Sequence, residues 1–446
     1  MLIRFTLANW MSFREETTFN MAATKEKQHN TRVPKVGKYP IKILPFAAIY
    51  GSNASGKTNF FKGINFARNF IVRGSTPGSY LAMEPFRLDA DSMRKPGKFG
   101  FEILIDDIIY EYFFVANKEC VFEEKLVEIN SNSEKTLFHR QNGKANFDST
   151  LKNNERLKFA FIGTRDNQLF LTNSVFQNID KFKHVYEWFK NSLVLIAPDS
   201  RFEPFEHYIN ESHQLYGPIN HMLESLDTGI TQLAGKEIDF EAMPIPEPFK
   251  TRIKEEMKDG MTFRIQSHPK NERHIVKRQN GVLKAFKLYT YHKNSFGEMI
   301  PFEMENESDG TQRIIDLLPA FIDVSQSNCA KTYIIDEIDR SLHTILTRKL
   351  VESYLHTCSP KSRNQLLITT HDVLLMDQKI IRRDEMWIAE RNENGCSMLI
   401  PFSDFDDIRY DKDLRKSYLQ GRLGGIPKIL FDFELSGSNG EQIING

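Results

Sequence analysis

The chain predicts an α/β fold, a mixed sheet with helices joined to an antiparallel β-subdomain, and three observations carry that prediction. Ile43 to Tyr50 is an apolar stretch that runs into Gly51-Ser52-Asn53-Ala54-Ser55-Gly56-Lys57-Thr58. A buried strand, a glycine loop and a helix thus follow one another in the order a phosphate-binding loop needs. Thr332-Tyr333-Ile334-Ile335 is a second apolar strand, and it ends in the paired acids Asp336-Glu337. Between the two, Phe99, Phe101, Ile103 and Ile105 alternate into Asp106-Asp107 and apolar residues resume at Ile108, which is a hairpin pattern.

The remaining elements follow in chain order. Residues 1–21 alternate apolar and polar, as strands do. Lys25 to Lys42 is basic and interrupted by proline, so it reads as a loop or arm. The helix after the glycine loop runs to about Arg73 and is broken by Gly74 to Gly78. Strands continue to about Ile129, and Gln141-Asn142-Gly143 marks a further turn. From Asp180 the period changes: Phe182, Val185, Tyr186, Phe189 and Leu193 fall at helical spacing, which predicts an amphipathic helix over 180–193, with more helix through 213–226. Pro244, Pro246 and Pro248 suggest a lobe boundary, and residues 261–292 return to strand alternation around Gln279-Asn280-Gly281. The expected organisation is an N-terminal lobe over 1–175, a helical insert over 176–260 and a C-terminal lobe over 261–430. A tail over 431–446, rich in Gly, Ser and Asn, is expected to be disordered.

The length of 446 residues fits two or three lobes. With 59 Lys and Arg against 59 Asp and Glu, a globally basic nucleic-acid coat is excluded, while local patches stay open. Cys120, Cys329, Cys358 and Cys396 are scattered with no Cys-x-x-Cys pair, so they read as reduced thiols rather than a zinc site or disulfide frame. The start, Met1-Leu2-Ile3-Arg4, lacks an apolar signal core, and no run of about 18 apolar residues occurs. A soluble, cytoplasmic protein with no membrane span is expected.

The chemistry concentrates in four places. The backbone N–H groups from Gly51, Ser52, Asn53, Ala54, Ser55 and Gly56 through to Asn59 can wrap a phosphate chain, and the helix starting near Lys57 points its positive end at it. Lys57 reaches the β- and γ-phosphates, and the Thr58 hydroxyl holds Mg²⁺. Asp336 belongs to the Mg²⁺ shell, and Glu337 stands where it can polarise an attacking water as general base. Alone, a strand ending in two acids is often an ordinary strand end; paired with a phosphate loop it is the second half of a nucleotide site. Glu307-Ser308-Asp309-Gly310-Thr311-Gln312 precedes a helix, where Ser308 and Gly310 present a hydroxyl and free N–H groups suited to a phosphate, although by itself this is a helix cap. Leu366 to Asp372 is another buried strand, ending in Thr369-Thr370-His371-Asp372.

This ordered set resembles the ABC-type, SMC/RecF-like ATPases. It is similar above all to the bacterial AAA family ATPases related to OLD-like proteins of abortive-infection and phage-defence systems. The resemblance implies an ABC-type P-loop ATPase head with ATP and Mg²⁺ as cofactors. It makes 307–312 a signature motif, Asp339 the D-loop acid and His371 the switch histidine that contacts the γ-phosphate. Leu7-Ala8-Asn9-Trp10-Met11-Ser12-Phe13 resembles the opening strand of that group, and Tyr418 to Pro427 resembles its C-terminal motif, so the likeness spans about 1–430. The signature departs from the family form Leu-Ser-Gly-Gly-Gln. No Q-loop glutamine can be placed: Gln168 is a candidate, set against a satisfied loop glutamine.

In the ABC arrangement one protomer's signature caps the nucleotide on the other's phosphate loop, so the resemblance implies a homodimer or higher homo-oligomer closed by ATP. It also implies a sensor or scaffold in antiviral defence that controls a separate effector, expected to be a nuclease, since the chain ends about 75 residues past His371 without room for a nuclease domain. The alternative is a RecF/SMC-like DNA-repair ATPase. Lys250 to Lys293 carries twelve Lys and Arg against four Asp and Glu with Phe263, Phe286, Tyr289 and Tyr291 among them, which makes nucleic acid a candidate partner beside the plainer reading of a strand face in water. A transporter subunit is disfavoured by the wide gap between Lys57 and Asp336, and an SMC-type arm by the lack of sustained heptads. A AAA+ ring motor is disfavoured because no sensor arginines can be placed.

Overall fold

In the computed structural model, residues 1–199, 213, 215–266, 272–326, 330–405 and 414–426 are described. The expected disorder after Asp432, the fourth thiol Cys329 and Pro427 of the C-terminal motif all lie outside them. Cys120, Cys358 and Cys396 are free thiols.

A six-stranded central sheet carries the fold. Its order is Ser397–Pro401, Met386–Arg391, Phe46–Tyr50, Gln365–Thr370, Thr332–Ile335 and Leu193–Ile196. All neighbours are parallel except the Ser397–Pro401 edge. Phe46–Tyr50 and Gln365–Thr370 are buried throughout, as strands covered on both faces must be. Register aligns Tyr50 with Thr370 and Ile335 with Ile368, so Gly51, Asp336 and His371 leave the sheet at its carboxyl edge. Ligands of open parallel sheets bind at that edge.

A seven-stranded antiparallel sheet, ordered Thr17–Asn20, Leu2–Ala8, Gly97–Ile105, Ile108–Ala116, Val121–Ile129, Glu134–Gln141 and Lys144–Phe147, is the expected β-subdomain. The Lys57–Arg73 helix packs against it through Phe60, Phe61, Ile64, Ala67, Phe70 and Ile71. Phe60 meets Phe5 at 5.4 Å between ring centroids, and Phe70 meets Phe114 at 5.5 Å. Each such buried side chain is worth about 1.5–3 kcal/mol. Helices Asp309–Ser325 and Thr344–Thr357 contribute to a second core with the central strands, built on Leu317, Leu318, Phe321, Tyr333, Leu350 and Tyr354.

The helix predicted over 180–193 is present as a continuous run of changing pitch, 3-10 (Asp180–Phe182), α (Lys183–Glu187) and π (Trp188–Ser192), and it ends one residue early, where Leu193 opens the strand Leu193–Ile196. Sheet pairing takes over at Leu193, because Leu193–Ile196 completes the sheet beside Thr332–Ile335. Arg68 Nε donates to the Phe189 and Leu193 carbonyls (3.0 and 2.9 Å) and so satisfies the widened turn. Within 213–260 helices Tyr216–Ser225 and Glu247–Glu256 are joined by a strand, Ile230–Ile238. That strand pairs with Val282–Lys293 in a third sheet with Arg273–Gln279 and Thr262–Gln266, and Met299–Glu303 pairs with the other side of Val282–Lys293.

Candidate nucleotide site

Gly51 to Gly56 bends tightly enough that glycine is required at two points. A Cβ on Gly56, whose φ is 114°, would lie 2.4 Å from Ser397 Oγ. One on Gly51 would lie 2.5 Å from the Ala389 carbonyl oxygen. The neighbouring strands therefore press directly on the loop. Lys57, 4% exposed, folds back so that its Nζ donates to the carbonyls of Gly51 (2.7 Å) and Ser52 (3.0 Å). Burial lowers its pKa to about 8 against the raising effect of Asp336, Asp339 and Glu337. A buried ammonium held by two carbonyls and a ring nitrogen, with no carboxylate in direct contact among the described residues, suits a phosphate arriving beside it.

Asp336 is fully buried. Its Oδ1 accepts from Thr369 Oγ1 at 2.5 Å, and Thr58 supplies a further side-chain hydrogen bond. Among the described residues its Oδ2 is buried with no hydrogen-bond partner. Desolvation raises its pKa, opposed by those two hydroxyls. An orphaned carboxylate oxygen beside a threonine hydroxyl fits a Mg²⁺ site completed by water and phosphate oxygens. Among the described residues no group of three or more His, Cys, Asp and Glu gathers as a metal cage.

Glu337 turns away from the sheet with φ 48°, a left-handed setting that costs about 1–2 kcal/mol outside glycine. Its N–H donates to Thr369 Oγ1 (2.8 Å), so Thr369 fixes both acids of the pair. His371 Nδ1 stands 3.4 Å from Lys57 Nζ. Desolvation, then Lys57, lowers the His371 pKa and favours the neutral ring. Asp339 sits behind it, its carboxylate accepting from the His371 backbone N–H (3.2 Å).

A cleft of about 640 Å³ is lined by Asn53 to Asn59, Glu337 and His371. The structure thus brings together the phosphate loop, Glu337 and His371. Asp336 lies beneath, through Thr58, and Asp339 behind, on the His371 N–H. The Asn59 side chain donates to Ser12 Oγ at 2.8 Å. Ser308 and Gly310 are elsewhere: they line a second cleft of about 540 Å³ with Ser341, Leu342 and His343. There Ser308 caps the Asp309–Ser325 helix, its Oγ accepting from Thr311 N (3.1 Å). Gln168 is not in either cleft. It is 4% exposed, its Oε1 accepts from Arg165 N and its Nε2 donates to Asn173 Oδ1, both at 3.4 Å, so the reading as a satisfied loop glutamine is the right one.

Sequence reasoning missed Glu84 to Leu88, Arg391 and Gly395 at the first cleft, and Thr369 behind it on the two acids. Thr369 was legible as the residue two before His371. Glu84 to Leu88 has no local signal; it arrives because Met11 N donates to the Glu84 carbonyl (2.7 Å) and Phe86 N donates to Asn9 Oδ1 (3.0 Å). Both terminal motifs also reach the loop. Met11 and Ser12 line the cleft, and Ser52 N donates to the Gly425 carbonyl (3.0 Å), which also accepts from Tyr418 OH (3.0 Å).

Of the basic stretch 250–293, Lys250, Arg252, Lys254, Arg273, Lys284 and Lys287 are engaged with carboxylates. Their charge is largely offset within the chain. Among the described residues no helix is long and apolar enough to cross a membrane.

The family model described as "AAA domain, putative AbiEii toxin, Type IV TA system" matches residues 46–377, well over half of the chain. No curated protein matches it. Similar solved structures include an SMC head domain from Thermotoga maritima, 13% identical over 90% of this chain and 98% of that one, with a TM-score of 0.35. Another is an SmcHead bound to the C-winged helix domain of ScpA, 12% identical over 90% and 97%, with a TM-score of 0.39. At TM-scores this low neither carries an argument. The family match does: the chain belongs to the AbiEii-type AAA-domain family and is an ATP-binding ATPase of the P-loop class.

Proposed function

We propose that the chain binds Mg²⁺-ATP at Gly51–Asn59 and hydrolyses it with Glu337 as general base. Lys57 and the loop N–H groups hold the phosphates, and Thr58 with Asp336 holds the Mg²⁺, which would offset phosphate charge. The neutral His371 ring stands beside Lys57 where it can hydrogen-bond the γ-phosphate or the attacking water. The observation that carries this reading is the shared cleft of Lys57, Thr58, Glu337 and His371.

Two copies then close head to tail, each Ser308–Gly310 segment capping the nucleotide in the other's cleft. The placement of those residues in a separate, open cleft supports this. ATP favours the closed pair because its γ-phosphate adds contacts to that state alone. The family's description as an abortive-infection toxin of a toxin–antitoxin system supports a role in antiviral defence, with the ATPase gating a separate effector of nuclease type.

The test is the Glu337→Gln protein, studied by light scattering and ATP turnover. It should hold ATP in a stable dimer and turn over at least about 100-fold more slowly, the scale of a lost general base. Wild-type turnover in this variant removes Glu337 from the role. A pull-down with the same variant tests the effector: a co-purifying nuclease supports it, and bound DNA alone favours the repair alternative.

A further inference from the structure

The Ser308 cap is fastened to the third sheet by a contact that its own helix does not need. Ser308 already caps the helix through Thr311 N. Yet Glu307, just before it, buries its carboxylate against Val282–Lys293. Its Oε1 accepts from Thr290 Oγ1 (2.5 Å) and lies 2.7 Å from His292 Nε2, with only 7% of the side chain exposed. The His292 ring is itself set edge-on to Phe302, with centroids 4.7 Å apart, and Phe302 pairs in register with Thr290. Gln312 Nε2 donates to the Glu307 carbonyl (3.0 Å) and ties the same residue to the first turn of the helix. The backbone entering Ser308 and Gly310 is thereby held from two sides. A shift of about 1 Å at such a position can cost about 100-fold in a reaction.

We infer that His292 is a positioning residue for the site formed in trans: through Glu307 it sets where Ser308 and Gly310 meet the partner's nucleotide. This rests on the ATP-closed dimer proposed above. His292 touches neither cleft, so its loss should leave nucleotide binding by the single chain intact and impair only the steps that need the pair.

The experiment compares full-length wild type, His292→Ala and His292→Gln. It reads three quantities: affinity of dilute protein for a fluorescent non-hydrolysable ATP analogue, ATP-driven dimerisation, and kcat. For His292→Ala the expected result is nucleotide affinity within about twofold of wild type, with dimerisation and kcat both weakened about tenfold, the scale of one lost charge-assisted hydrogen bond. His292→Gln, whose amide can still donate to Glu307, should recover most of the loss. Wild-type dimerisation and kcat in His292→Ala overturn the inference. So does a parallel loss of nucleotide affinity and melting temperature in both variants, which marks a merely structural role. If wild-type protein stays monomeric with ATP, the dimer reading itself falls and takes the inference with it.

Discussion

The two clefts are built in opposite ways. In the first, Glu337 is half-buried and His371 exposed at the mouth, while the cation and the acid behind the loop are buried, Lys57 4% exposed and Asp336 0%. Their charges are desolvated and incompletely paired, and both terminal motifs pack around the loop that holds them. In the second, Ser308 and Asp309 are exposed at a helix start whose polar groups are already satisfied by the local cap. Burying a charge is costly unless a partner arrives, whereas an exposed cap costs nothing while it waits. On the reading proposed above, the first cleft is a binding site complete in one chain, and the second is a surface that acquires a role when another molecule covers it.

Substitutions on the two sides should separate accordingly. The largest effect is expected for Lys57→Ala, which removes the ammonium that the loop carbonyls aim into the cleft. ATP affinity should fall by about 100-fold or more, the scale of losing a buried charge-assisted contact. Calorimetry that still finds tight ATP would exclude Lys57 from the site.

Ser308→Asp should break the other side alone. Aspartate caps a helix as well as serine, so melting should stay close to wild type. ATP binding should also stay within about threefold, yet turnover should drop about 100-fold as the carboxylate meets the partner's phosphate. Equal losses in binding and turnover would erase the distinction between the clefts.

Thr369→Val sharpens the account of the first cleft. It deletes the hydroxyl that donates to Asp336 and accepts from Glu337 N, so stability should fall by about 1–3 kcal/mol and kcat by about tenfold. Unchanged kcat, measured after correcting for folded fraction, would mean that Thr369 does not aim the acids.

The smallest effect is on pH. Lys57 has a folded pKa lowered to about 8 from 10.5, so the empty folded state binds fewer protons than the unfolded state between those values. Its penalty on stability is therefore full below the folded pKa and fades as pH rises towards 10.5. ATP needs the charged form, so affinity should be about twofold weaker at pH 8 than at pH 7, with proton uptake on binding at the higher pH. Binding at pH 8 without proton uptake would contradict the assignment.

The first cleft was largely legible in the sequence because its parts are contiguous runs. Gly51 to Thr58 and Thr332 to Glu337 each spell a strand and its functional end, and Thr369-Thr370-His371 does the same. Glu84 to Leu88 and Arg391 were not legible, since they reach the cleft only through the sheet and the Asn9 turn. The helix over 180–192 was legible from its apolar spacing, but its change of pitch and its end at Leu193 were not, because Leu193 is claimed by pairing with Thr332–Ile335. The charge run 250–293 was legible as charge but not as paired charge, because Glu237, Glu241 and Asp316 join it from other elements.

The central claim is that a working site takes its phosphate loop from one chain and Ser308–Gly310 from another. Mixing Lys57→Ala with Ser308→Asp, each inactive alone, tests it most directly by ATP turnover. The mixed dimer regains one site with an intact phosphate loop facing an intact cap, so activity should return on mixing and peak near equal proportions. No recovery at any ratio, from two proteins that demonstrably pair, would contradict the account.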